Sequence, residues 1–151
     1  MPWKVLIVRN DTPRHNLSEV PANGPGLALG TRNVVQQRIC RQFPGARWWD
    51  NTWATWSSAD GSIEFGLPPR GEVDYVVLNV RGGTGLVPPI IALAKRNGWQ
   101  AADCGNGQFL DQVEHPEAGL NQWLDGMHRL LTTVRATRKA ADLVDSWSVA
   151  V

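Results

Sequence analysis

Four of the eight tryptophans in this 151-residue chain stand within nine positions, in Arg47-Trp48-Trp49-Asp50-Asn51-Thr52-Trp53-Ala54-Thr55-Trp56. Each indole brings a large apolar ring and one N–H that needs a partner when buried. A domain of this length cannot easily enclose four of them side by side, so part of this aromatic surface is expected at the rim of the fold. There, Trp flanked by Arg and Asp has the composition of an interaction hot spot. Two arrangements are open. In one, alternate indoles of a strand face the core and the others shield a sheet edge. In the other, Trp48, Trp49, Trp53 and Trp56 form a ledge for another molecule, with Arg47, Asp50 and Arg81 setting its specificity.

A chain of this size buries roughly 70% of its unfolded surface around one core, so residues 1–151 are expected to form a single domain. Hydrophobic content of 42% and charged content of 19% exclude wholesale disorder. Fifteen basic against fourteen acidic residues leave a net charge of +1, short of the basic footprint of a dedicated nucleic-acid binder. The apolar run after Lys4 is too short for a signal-peptide core. No apolar run approaches the roughly 20 residues that span a bilayer. A cytoplasmic protein with no membrane segment is expected, with Cys40 and Cys104 as reduced thiols.

Lys4–Val8 is apolar and β-branched, as in a strand covered on both faces. Residues 9–30 form a long loop punctuated by Pro13, Pro21, Gly24, Pro25, Gly26 and Gly30. It is either functional or a strap packed by Leu17, Val20, Leu27 and Leu29. Thr31 N-caps a helix to about Gln42, with Val34, Val35, Ile39 and Phe43 as its apolar stripe, Cys40 beside it as a buried inert thiol, and Pro44-Gly45 as its stop. Arg47–Trp56 and Ser62–Leu67 are expected strands joined by residues 57–61, where Asp60-Gly61 signals a hairpin. Val73–Val80 is the most strand-like stretch and predicts a central strand covered on both faces.

Pro88 and Pro89 suit the first turn of a helix, whose inward face is Ile90, Ile91, Leu93 and Ala94, ended by Asn97-Gly98. Trp99–Asp103 is a short strand, turned back by Gly105-Asn106-Gly107 towards Gln108–Leu110. Residues 116–147 are helical in pattern, with Leu120, Trp123, Leu124, Met127, Leu130, Leu131 and Val134 at 3/4 spacing; one helix or two remains open at Arg135. Arg129, Arg135, Arg138 and Lys139 are expected on a solvated face. The order β-α-β-β-β-α-β-β-α predicts an α/β (α+β) fold, a single mixed sheet with helices packed on it. The strand–helix–strand unit over Val73–Asp103 is expected to supply a right-handed parallel pair.

Motifs for chemistry are scarce. Arg81-Gly82-Gly83-Thr84-Gly85 joins a strand to a helix, where phosphates are often cradled. It lacks the P-loop lysine and hydroxyl, and Pro88 and Pro89 remove two donors, so a tight glycine turn is expected instead. The element order also matches restriction-endonuclease-like nucleases, but Asn79-Val80-Arg81 stands where an acid-x-Lys pair is needed, and Glu64 is followed by Phe65-Gly66. His15, His115 and His128 have no companion at metal-ligand spacing. Ser57-Ser58 near Asp60 lies in no nucleophile motif. No catalytic residue, metal site or cofactor is assigned.

Within residues 73–111, Leu78-Asn79-Val80-Arg81-Gly82-Gly83, then Asn97-Gly98-Trp99, Asp103, Gly107 and Phe109-Leu110-Asp111, resemble a set of small bacterial α/β proteins similar to toxin-immunity proteins. The resemblance implies neutralisation of a cognate toxin through a protein–protein interface, and it carries no active-site residue. The leading expectation is a non-enzymatic protein-binding module with Arg47, Trp48, Trp49, Asp50, Trp53, Trp56 and Arg81 as its interface. One alternative is a small enzyme or degenerate nuclease-like domain using Asp74, Asn79, Arg81 and Asp103 at the end of the central strand. Another is a single-stranded nucleic-acid binder that stacks bases on the Trp ledge with Arg32 and Arg47.

Overall fold

Alternating apolar residues give the chain its sheet. In the computed structural model, which describes residues 2–20 and 27–149 and side chains as far as residue 133, two units are distinguished, Met1–Leu120 and Asn121–Val151. The first holds strands β1 (Trp3–Val8), β2 (Arg47–Trp48), β3 (Trp53–Ser58), β4 (Gly61–Gly66), β5 (Tyr75–Gly82) and β6 (Gln100–Asp103), with helices α1 (Arg32–Gln42) and α2 (Val87–Arg96). The strands form one sheet in the order β2-β3-β4-β5-β1-β6. The fold is thus α/β with helices packed on a single sheet, as its sequence pattern indicates.

Every neighbouring pair in that sheet is antiparallel, so the parallel pair expected over Val73–Asp103 does not form. Strand β1 lies between β5 and β6 and is antiparallel to both. The two strands therefore run in the same direction without touching. Local pattern identifies the strand–helix–strand unit, but the insertion of β1 is a long-range pairing that no local pattern encodes.

Over β1, β3, β4 and β5 full cover falls on one face, whereas all four residues of β6 are buried. Trp3, Val5 and Ile7 of β1, Val76, Leu78 and Val80 of β5, Ile63 and Phe65 of β4 and Ala54 of β3 are all buried. The alternate residues Lys4, Leu6, Val8, Tyr75, Val77, Asn79 and Arg81 are half-buried or exposed, which corrects the double cover expected for β1 and β5. Helix α1 reaches the inward face through Phe43, whose ring lies 5.2 Å from Phe65, and α2 packs beside α1 through Arg38–Asn97 and Arg96–Gln42 hydrogen bonds. β-Branched residues suit a half-buried pleated surface as well as a buried one, so composition alone does not distinguish the two.

Local signals hold well around the helices. Thr31 caps α1 by accepting from the Val34 amide, and Val35, Ile39 and Phe43 are fully buried. Val34 turns outward instead of completing the stripe. The prolines occupy the first turn of α2, and Asn97 ends it. The strand expected over Arg47–Trp56 is interrupted: residues 49–52 turn back so that β2 and β3 pair with each other. Gln108–Leu110 is not a strand; Gln108 and Phe109 make single bridges to Asn16 and Ala102.

Within residues 9–30, positions 21–26, with Pro21, Gly24, Pro25 and Gly26, lie outside the described residues. The flanking parts are fastened by bridges Arg9–Leu27 and Gly30–Val73 and by the buried Gln100 side chain, whose amide bonds Asn10, Arg14 and Asp111. Leu29 is buried as a strap residue should be, whereas Leu27 is exposed. Helix α3 is continuous over Ala118–Val149, one helix rather than two. Leu120, in the first unit, is fully buried; in the second, Leu130 and Leu131 remain 57% and 47% exposed. The side chains of Val134, Arg135, Arg138 and Lys139 lie outside the described residues.

Candidate functional site

The Trp-rich segment divides its indoles between the two faces of the sheet. Trp48 pairs with Ala54 on the inward side, and its Nε1 donates to Cys40 Sγ at 3.2 Å. Trp56 meets Phe43 edge-on, centroids 5.0 Å apart, and donates to the Pro44 carbonyl at 3.1 Å. Both inward indoles are half-buried. Trp49 and Trp53 project to the other side and keep 50% and 40% of their surface exposed. They stack with centroids 5.7 Å apart and planes 28° from parallel. The Arg47 guanidinium lies 3.9 Å from the centre of the Trp49 ring, and Trp49 Nε1 donates to Thr55 Oγ1 at 2.9 Å.

The turn that presents this pair is held from several sides. Asp50 Oδ1 accepts from both the amide and the hydroxyl of Thr52, each at 2.7 Å. The Thr52 hydroxyl, and then its amide, hold the Asp50 carboxyl below the usual aspartate range. The Asn51 carbonyl accepts from Arg32 Nη1 at 2.9 Å and Gln36 Nε2 at 3.3 Å. Arg32 Nη2 reaches the Pro68 carbonyl at 2.7 Å, and Thr52 accepts from the Leu67 amide. A bidentate guanidinium bridging two loop carbonyls is a geometry a lysine cannot reproduce. Arg32 thus braces the turn from α1, whereas the sequence suggests only a free basic side chain near the indoles.

Beside this platform the sheet edge opens. Strand β2 pairs only with Ala54 and Thr55, so Trp56 and Ser57 have no strand on their outer side. A cleft of about 450 Å³ lies there, lined by Arg47, Trp49, Thr55, Trp56 and Glu64 among others. Arg81 reaches Glu64 across the strands in a 2.8 Å ion pair. The residues proposed from sequence are therefore placed as follows. Arg47, Trp49 and Trp53 converge on the outer face, Arg81 joins through Glu64, Asp50 shapes the turn, and Trp48 and Trp56 are tied inward. Thr55, Glu64, Arg32 and Gln36 enter the site through cross-strand register and helix packing, for which the sequence carries no local signal.

The alternative polar set does not assemble. Asp103 lies on the inward face opposite Val5, is buried, and accepts from the Gly105 amide. Asn79 and Arg81 lie on the outer face, and Asp74 precedes β5 at its other end. The Arg81–Gly85 loop packs against the hairpin turn. At Gly82, φ is +152° and a Cβ would overlap the Asp60 carbonyl, which accepts from the Gly83 amide at 2.9 Å. Asp60 also places its carboxyl against Gly85, adverse to a phosphate.

Among the described residues, no three His, Cys, Asp or Glu side chains are grouped to hold a metal ion, both cysteines are free, and no helix is long and apolar enough to cross a membrane. No protein-family model, curated protein or solved structure matches the chain.

Proposed function

We infer that this protein is a non-enzymatic cytoplasmic binding module that docks a protein partner on the outer face of its sheet, at Trp49, Trp53 and Arg47. The carrying observation is the stacked, exposed indole pair held on a turn braced by Arg32, Gln36 and Asp50. Apolar surface in contact with water is unfavourable by about 25 cal/mol per Å², and a partner that covers both rings recovers that term. Because the turn is already ordered, little conformational entropy remains to be lost on binding. Leu6, Val77 and Tyr75 extend the surface along the outer face, and Glu64 and Arg81 give it a polar rim, the usual anatomy of an interface.

A protein partner suits the pair better than a nucleic-acid strand. Trp53 and the Arg47 guanidinium already lie on the Trp49 ring, so less of it is available to a stacking base. In the more specific form of this reading, which rests on the resemblance over residues 73–111, the partner is a bacterial toxin that the module neutralises.

The test compares the chain with its Trp49→Ala/Trp53→Ala variant in affinity capture from host lysate, with thermal unfolding run in parallel. A stoichiometric protein retained by the wild type and lost from a folded double variant supports the reading. Equal retention by both chains rejects this face as the interface.

A further inference from the structure

On the helical side of the sheet the charge is one-sided. Helices α1 and α2 carry Arg32, Arg38, Arg41, Lys95 and Arg96 and no acidic residue, although the whole chain has a net charge of only +1. Three of these cations, Arg38, Arg41 and Arg96, gather with Gln42 and Asn97 around a hollow of about 100 Å³ between the C-terminal ends of the two helices.

No carboxylate lines that hollow. Arg38 Nη1 donates to Asn97 Oδ1 at 2.8 Å, and Arg96 Nη1 donates to Gln42 Oε1 at 3.0 Å. Neutral amide oxygens thus orient two guanidiniums while neutralising neither. Asn97 is itself fixed through its Nδ2, which donates to the Leu93 carbonyl at 2.7 Å. The Arg41 side chain makes neither an ion pair nor a hydrogen bond among the described residues. Each guanidinium has five N–H donors, so several remain for a ligand.

Cations at helix C-termini are often explained by the macrodipole alone. Here that explanation is too small. Two helix ends supply roughly −0.5 charge each, against three full positive charges, so about two remain uncompensated.

We propose that this hollow binds a phosphate group, as free phosphate or as the phosphomonoester of a small molecule. Guanidiniums approaching from two helices match the several oxygens of a tetrahedral oxyanion, and its charge near −2 matches the excess. Arginine favours such oxygens because its planar fork donates two parallel hydrogen bonds. The site lies on the helices, so it stands or falls independently of docking at Trp49 and Trp53.

Thermal unfolding of the full chain in increasing inorganic phosphate, against potassium chloride at matched ionic strength, tests it. Phosphate is expected to raise the unfolding midpoint saturably, by about 3 °C or more at high occupancy. Arg41→Gln, which removes no side-chain hydrogen bond or ion pair among the described residues, is expected to abolish most of the rise, and Arg70→Gln on an exposed loop to retain it. A rise no greater than that in chloride, or one that persists in Arg41→Gln, overturns the proposal. With 2-glycerophosphate as a second probe, saturation at lower concentration than inorganic phosphate assigns an ester, and equal or weaker protection assigns the free ion.

Discussion

Trp49 stacks on Trp53 across the turn that joins β2 to β3, with ring centroids 5.7 Å apart, and both rings keep about half of their surface in water. Such a pair contributes roughly 1 kcal/mol beyond area burial. Trp53→Ala, which loses that pair term and the burial of a partly exposed ring, should lower stability by about 1–3 kcal/mol in urea unfolding, while Phe43→Ala, which empties a fully buried site, should lose about 3–5 kcal/mol. Equal losses would mean that the outer indoles are core residues.

Removal of the brace should loosen the platform more than its own exposure suggests. Arg32→Ala deletes two hydrogen bonds from a charged donor to the Asn51 and Pro68 carbonyls, worth about 1–3 kcal/mol together once solvent exposure of the first is allowed for. Amide exchange should quicken in residues 49–53, and Arg32→Lys should rescue only part of the loss.

Gln100 is the polar anchor of the segment after β1. Its Oε1 accepts from Asn10 Nδ2 at 2.6 Å and from the Arg14 amide at 3.0 Å, and its Nε2 donates to the Arg14 carbonyl at 3.1 Å. Gln100→Leu keeps the volume but leaves those groups without partners, a loss of about 2–3 kcal/mol. Limited proteolysis should then cut within residues 9–20 well before the sheet yields.

Two glycines should respond in opposite directions. Gly82→Ala places a methyl on the Asp60 carbonyl at φ +152°, a conformation that costs other residues about 1–3 kcal/mol before any clash. Gly126 lies within α3 with nothing near its missing Cβ, so Gly126→Ala should gain about 0.5–1 kcal/mol from helix propensity. Chemical denaturation of both variants measures the two signs.

Acid should weaken the indole turn through Asp50. Its carboxyl is held below the usual aspartate range, first by the Thr52 hydroxyl and then by the Thr52 amide. A depressed folded value means that the stabilisation is present above the ordinary aspartate pKa and is lost as pH falls through the folded value. Carboxyl NMR should show Asp50 titrating lower than a free aspartate, and Thr52→Val should move it back up.

Much of the fold is legible residue by residue. Thr31 caps α1, the prolines open α2, Asn97 closes it, and the β3–β4 hairpin turns at Ala59-Asp60, one residue before the Asp60-Gly61 signal, because caps and tight turns depend on a few consecutive residues. The site is legible in composition but not in arrangement. Arg47, Trp49 and Trp53 are neighbours in the chain and on the surface, while Glu64 and Arg32 join them only through strand register and helix packing.

By itself, then, the sequence determined which stretches become strands and helices and where most of them end, since periodicity and capping act over a few residues. Tertiary structure alone decided that β1 separates β5 from β6, that the second face of β1 and β5 is left partly open, and that two indoles turn inward while two stay half in water. Those outcomes depend on contacts between residues far apart in the chain, and a strand's alternation is the same whichever neighbour it meets and whether or not its second face is covered.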